Sequence, residues 1–162
     1  KRSDYRVRLE DSHNLRLNYS MTERQMRTFF KKALAPPGDT GHYLLQSLES
    51  RLDNVVFRAG FAPTIPAARQ FVTHGHVQVN GRRLDIPSYT CQAGDVISIR
   101  EKSQKMPLVE ECAASPALEI PSYLGTEDSS PFKKEFRSAP TRDDVPLEIQ
   151  ENLIIEFYSQ IV

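Results

Sequence analysis

The fifty residues from 51 to 100, RLDNVVFRAGFAPTIPAARQFVTHGHVQVNGRRLDIPSYTCQAGDVISIR, restrict the fold of this chain more than any other stretch. They hold two helical periods, each closed by a glycine, and then an alternating segment bent at Asn80-Gly81. At about 100° per residue, Leu44, Leu45, Leu48, Leu52, Val55, Val56 and Ala59 fall within one arc of about 120°. That arc predicts the buried face of a single helix stopped by Gly60, a residue free of the Cβ penalty of the left-handed conformation. Arg51, Asn54 and Arg58 are expected to project from one flank of it. In the second helix Thr64 or Ile65 is the cap, and Pro66 sits in the first turn, where a missing N–H costs little. Ile65, Ala68 and Val72 face inward; Gln70, Thr73 and His74 face outward, Arg69 lies on the boundary, and Gly75 ends the helix. Two helices with a short connection make an αα-hairpin.

The alternating segment HVQVNGRRLDI pairs with itself around Asn80-Gly81, a dipeptide suited to the type I′ turn because both central residues need positive φ. Ala93-Gly94-Asp95 marks another turn before VISIR, where Ile97 and Ile99 share a face. The hairpin thus extends Arg82 and Arg83 beside the two helices. Core packing accounts for the apolar residues and leaves Arg51, Arg58, Arg69, Gln70, Thr73, His74, His76, Arg82 and Arg83 as a polar, cationic set. Any one of these arginines taken singly fits a solubilising surface charge. Clustered at element ends and flanks, the set suits a phosphate backbone better than a small-molecule pocket.

Before the module, Ser20-x-x-Glu23 has capping-box spacing, with Ser20 as cap, and Met26, Phe29, Phe30 and Ala33 form the buried arc of a helix running to about Leu34. Arg24, Arg27 and Lys31 stack on a separate stripe that can meet successive phosphates, with a plain solvated face as the rival reading. Residues 4–19 also read as a helix, without one clean apolar arc. Ala35-Pro36-Pro37-Gly38-Asp39 is a connector. After residue 102, Pro107, Pro116, Pro121, Pro131, Pro140 and Pro146 interrupt the chain, and short elements are expected, among them a strand over Phe132–Arg137. From about Gln150, Leu153, Ile154, Phe157, Tyr158 and Ile161 share a helical face, although a short apolar strand fits too.

RLDNVVFRAGFAPTIPAARQFVTHGHVQVNG followed by DIPSYTCQAGDVI resembles the RNA-binding module shared by small-subunit ribosomal protein four, pseudouridine synthases and some tRNA synthetases. The flanks SDYRVRLEDSHNLRLNYSMTERQMRTFFKKA and NLIIEFYSQ resemble the ribosomal family itself, so the likeness covers nearly the whole chain and weakens between about residues 103 and 148. It implies an α+β fold: a helical domain with an inserted αα-hairpin and small antiparallel β-sheet. The expected division is 1–42, N-terminal helical part; 43–102, RNA-binding module; 103–148, Pro-rich acidic extension of the sheet domain; and 149–162, a terminal helix packing back on the N-terminal part. Family members carry a further basic N-terminal stretch, so a chain that begins with Lys1 is expected to be shortened.

The net charge is zero, but it is unevenly spread: residues 1–102 hold 16 Lys+Arg and 10 Asp+Glu, a balance of +6, and residues 103–162 hold 5 and 11, a balance of −6. A basic face joined to a solvated or protein-facing segment gives this asymmetry. Within the acidic part, Lys133, Lys134 and Arg137 form a local basic cluster at the expected strand. With 39% hydrophobic residues the chain can bury a core, and no apolar run reaches membrane-spanning length. Cys91 and Cys112 are isolated and read as buried side chains or free thiols. His74-x-His76 lacks two further nearby ligands and is not assigned a metal; stacking on bases or bonding to phosphate and ribose suits both imidazoles better. No cofactor motif occurs.

The resemblance implies a structural constituent of the small ribosomal subunit that binds small-subunit ribosomal RNA directly, nucleates assembly of its 5′ region and contributes to translational accuracy. Its implied neighbours are other small-subunit proteins, especially protein five, with no membrane and no homo-oligomer. The IPSYTC wording points to plastid and cyanobacterial members, hence a plastid ribosome, with bacterial cytoplasm as the alternative. The rival function is the RNA-holding module of a modifying enzyme such as a pseudouridine synthase. That reading needs a larger catalytic domain, for which roughly 100 residues outside the module leave no room.

Overall fold

The computed structural model describes residues 4–126, 130–146 and 151–161, and the chain forms two compact units, Lys1–Leu48 with Thr141–Val162, and Glu49–Pro140. The fold is α+β, with the sheet entirely in the second unit.

The first unit is helical. Helix α1 spans Asp4–Asn18, α2 Glu23–Leu34, and α7 Glu151–Ile161, and α7 packs mainly along α1. Tyr158 holds the centre of this packing. Its ring lies 5.5 Å from that of Phe30, and its hydroxyl accepts from the Ser12 hydroxyl at 2.9 Å. Met26, Phe30 and Ala33 are buried on α2, and Ile154, Phe157 and Tyr158 on α7, as the helical periods predicted; Phe29 is half-buried. The start expected near Gln150, and the Ile161 side chain, lie outside the described residues.

The cap of α2 differs from the expected one. Thr22, not Ser20, accepts from the Gln25 backbone N–H, and Gln25 returns a bond to Thr22, completing the capping box two residues later. Ser20 instead takes a left-handed conformation, φ 51°, in the turn leaving α1. After the connector, α3 spans Thr40–Glu49, and the Asp39 carboxylate accepts from the backbone of Gly41 and His42 at its start.

A second correction concerns the single helix expected through Leu44–Ala59. It is two helices, because Arg51 adopts extended backbone, φ −63° and ψ 143°, between α3 and α4, Leu52–Arg58. The opened backbone groups find partners in residues 87–91. Leu52 N donates to Tyr89 O, Asp53 N to Pro87 O, and Cys91 N to Ser50 O, at 2.8, 3.1 and 2.8 Å. The seven arc residues remain buried.

Helix α5, Ile65–Thr73, is capped by the Thr64 hydroxyl and carries Pro66 in its first turn. Strands β1, Val77–Val79, and β2, Arg82–Arg83, form the expected hairpin, with Asn80 and Gly81 at φ 54° and 80° as a type I′ turn demands. Strand β3, Val96–Ile99, is followed by a 3-10 turn at Glu101–Ser103 and by α6, Pro107–Ala114. Strands β4, Leu124–Thr126, and β5, Lys133–Phe136, complete an antiparallel sheet of order β2-β1-β3-β5-β4. The acidic segment thus adds two strands to the sheet, pairing Ile97 with Lys134 and Val96 with Glu135. Leu52, Val56, Phe71, Val72, Val77, Ile97, Ile99, Tyr123 and Phe136 share one core between α4, α5 and the sheet.

Candidate nucleic-acid interface

Two buried carboxylates anchor α4, one to α5 and the other to Tyr123. Asp53, 1% exposed, accepts from Arg51 Nε at 3.1 Å on one oxygen and from Arg51 Nη2 at 3.0 Å on the other. The Asn54 backbone N–H reaches its Oδ1 at 2.7 Å, and Arg69 reaches Oδ2 through Nε at 3.1 Å and Nη2 at 3.0 Å. One acid therefore ties the start of α4 to the middle of α5. Glu49 is the second, paired with Arg58 at 3.0 Å and accepting from the Tyr123 hydroxyl at 2.6 Å. Burial beside that carboxylate pushes the Tyr123 phenol far up, so it stays a donor.

These pairs correct the predicted set. Arg51 and Arg58 are 3% and 5% exposed, so they are internal ion pairs and not surface cations. Helical periodicity placed them on a flank, but α4 is buried on that flank as well as on its apolar arc, and Asp53 and Glu49 supply the charges that make burial tolerable. Asn54 is buried too, its amide donating to Glu49 O at 2.7 Å. Arg69 keeps a third of its side chain exposed while bound to Asp53. Lys134 is buried, donates to the Thr126 hydroxyl, and has its ammonium pKa pushed down by burial, so it leaves the basic cluster expected at Phe132–Arg137.

The remaining residues do form a surface. Gln70, Thr73 and His74 are exposed along the outer side of α5, and Arg82 and Arg83 are exposed on β2. Arg83 lays its guanidinium across Gly75 at the end of α5; a Cβ there would fall 2.6 Å from Arg83 Nε. Gly75, at φ 81°, is favoured by the left-handed turn, and a side chain there would push the exposed Arg83 guanidinium aside. His76 is half-buried, its Nδ1 2.7 Å from the buried Ser103 hydroxyl and its ring edge-on to Phe71. Burial first, then the charges of Arg100 and His74, lower its pKa, so the imidazole is neutral near pH 7. His74 and His76 rings stand 6.4 Å apart, and among the described residues no group of three or more His, Cys, Asp or Glu gathers to hold a metal.

A further buried acid fixes the β-hairpin. Asp95 accepts from the Asn80 amide, the Tyr89 hydroxyl and the Gln92 backbone N–H at 3.0, 2.8 and 2.9 Å. Burial alone would raise its pKa, but these donors outweigh burial and hold it below the usual carboxylate value. The same environment, burial first and then the bond to Asp95, raises Tyr89 to about 12. Asn80 closes the network by accepting from Val96 N at 2.9 Å.

In the first unit, Arg24, Arg27 and Lys31 are exposed on one side of α2 and line a shallow open depression with Glu23 and Thr28. Arg27 makes a half-exposed pair with Glu23 at 3.5 Å, which leaves it available to a phosphate at little cost. The sequence reading missed Arg100, which stands beside His76 after β3, and the structural acids Asp53, Glu49 and Asp95. An acid two residues after an arginine, and an Asp following Ala-Gly at a turn, were the available signals.

An αα-hairpin against a small antiparallel sheet, with exposed cations and amides on α5 and β2, defines an RNA-binding module of the S4 type. Residues 50–97 match the family described as the S4 domain, and residues 1–49 match the Ribosomal protein S4/S9 N-terminal domain. The chain is similar to proteins named small ribosomal subunit protein uS4. It is 52% identical to that of Synechococcus sp. strain RCC307 over its whole length and 80% of the relative's. It is 49% identical to that of Prochlorococcus marinus strain MIT 9303 with the same coverage, and 48% identical to that of Synechocystis sp. over 99% of this chain and 79% of the relative. The chain belongs to the small ribosomal subunit protein uS4 family.

Proposed function

We propose that this protein is a structural constituent of the small ribosomal subunit that binds small-subunit ribosomal RNA directly and fixes the geometry of its 5′ region early in assembly. The observation that carries this reading is the exposed polar stripe of α5 together with exposed Arg82 and Arg83, within a chain similar in sequence over its whole length to relatives named small ribosomal subunit protein uS4. Cations offset phosphate repulsion, and the rigid αα-hairpin presents amides and imidazoles to a single junction shape. The exposed cations on α2 give the first unit a phosphate-facing element of its own. Fixation of this kind needs no reacting group, so the protein acts by holding RNA and not by turnover. The modifying-enzyme reading loses ground because the similarity to ribosomal relatives extends through both flanks of the module.

Protein five of the small subunit is the proposed neighbour, a contribution to translational accuracy is proposed as part of the function, and the protein is proposed not to form a homo-oligomer. The cyanobacterial relatives and the IPSYTC wording support a plastid ribosome, with bacterial cytoplasm as the other location. The test is the salt dependence of binding to small-subunit ribosomal RNA. About five to eight phosphate contacts give a slope of log affinity against log salt of about −4 to −7. A slope near zero would sink the electrostatic account.

A further inference from the structure

The outer side of α5 also carries a cleft of about 200 Å³ that phosphate contacts leave unexplained. Phe71 and Ala67 line it from α5, and Met106 and Leu108 from the start of α6. Gln70, His74 and His76 supply its polar atoms, and its lining carries no carboxylate. Leu108 stays 41% exposed there, an apolar surface held in water beside a cationic face. The volume is smaller than the roughly 300–1,000 Å³ of drug-sized sites, and it suits one flat ring system.

The chemistry selects among such groups. His76 has Nδ1 committed to Ser103, which fixes its ring and leaves Nε2 as its other polar atom. The Gln70 amide offers a donor and an acceptor side by side, the pattern that pairs with a base edge. Arg83, seated on Gly75, and Arg100, whose backbone N–H donates to His76 O at 2.8 Å, are cations available to phosphates flanking such a base. The cationic surroundings and the absence of a lining acid disfavour a basic peptide or an amine.

We infer that this cleft receives a single unstacked nucleobase of the bound RNA, its faces covered by Phe71, Met106 and Leu108 and its edge met by Gln70 and His74. The inference rests on the RNA-binding reading above and adds to it a readout of one nucleotide, independent of phosphate charge.

The test fills the cleft. Full-length Ala67→Phe and Leu108→Trp, with circular dichroism to verify folding, are titrated with a 5′-region ribosomal RNA fragment over a series of salt concentrations. Arg82→Ala is the comparison. Both filled variants should bind about tenfold to a hundredfold more weakly with the salt slope unchanged, because stacking on side chains is not electrostatic. Arg82→Ala should reduce the slope by about one. A wild-type protein that binds this RNA no better than an unrelated one would overturn the RNA-binding reading itself. Wild-type affinity in a folded, filled variant would overturn the cleft assignment alone, as would a loss that follows the salt slope. If neither variant folds, ultraviolet crosslinking of the wild-type protein in the assembled subunit decides. A base joined to Gln70–His76 or Met106–Leu108 supports the inference, and a neighbouring protein joined there overturns it.

Discussion

Asp53→Ala should be among the most damaging single substitutions in this protein, although Asp53 touches no RNA in the proposed interface. The carboxylate is 1% exposed and collects five N–H contacts within 3.1 Å, two from Arg51, two from Arg69 and one from the Asn54 backbone. Its removal leaves the Arg51 guanidinium buried without its bidentate carboxylate, a loss of about 3–5 kcal/mol for a broken internal pair. The Arg69 share is discounted, since that side chain is a third exposed and water can replace part of the contact. A total of about 3–5 kcal/mol is a large part of the roughly 5–15 kcal/mol that holds a typical domain folded. Urea unfolding followed by far-ultraviolet circular dichroism measures it, the chain having no tryptophan to report by fluorescence. Arg51→Met in the Asp53→Ala background removes the buried charge that has lost its carboxylate while keeping volume, and should recover at least about 1 kcal/mol. A cost below about 1 kcal/mol for the single variant, or strict additivity in the double, would refute the claim that Asp53 holds α4 to α5.

Arg69→Ala should cost about 1–2 kcal/mol and weaken RNA binding indirectly; a folded variant with unchanged stability would show that Arg51 alone satisfies Asp53. Leu52→Ala removes a fully buried side chain and should cost about 2–5 kcal/mol in the same unfolding assay, with RNA affinity in the folded fraction unchanged. Gly75→Ala should lose about 1–2 kcal/mol to left-handed strain and displace Arg83, lowering both the melting temperature and the salt slope of RNA binding. For Asp95 the folded pKa lies below the unfolded one, so its contribution is fully present above about pH 4 and is lost as pH falls through the folded value. Acid titration of stability should therefore show a smaller loss in that window for Asn80→Ala than for wild type, on a lower plateau at neutral pH.

The sequence by itself determined the local elements of the RNA-binding half. Periodicity gives the buried faces of α4 and α5, Thr64 and Pro66 open α5, and Asn80-Gly81 dictates the type I′ hairpin, because short-range sterics and side-chain period govern all of these. The exposed positions Gln70, Thr73, His74, Arg82 and Arg83 were legible for the same reason. Only the tertiary structure decided the fate of Arg51, Arg58 and Lys134. Whether an arginine is a surface cation depends on an acid presented by another turn and on where a helix breaks, and neither follows from helical angle. The break at Arg51 exists because the backbone of residues 87–91 is there to take its hydrogen bonds. The cleft under Gln70 likewise needs Met106 and Leu108 from more than thirty residues onward, a juxtaposition that chain topology alone supplies.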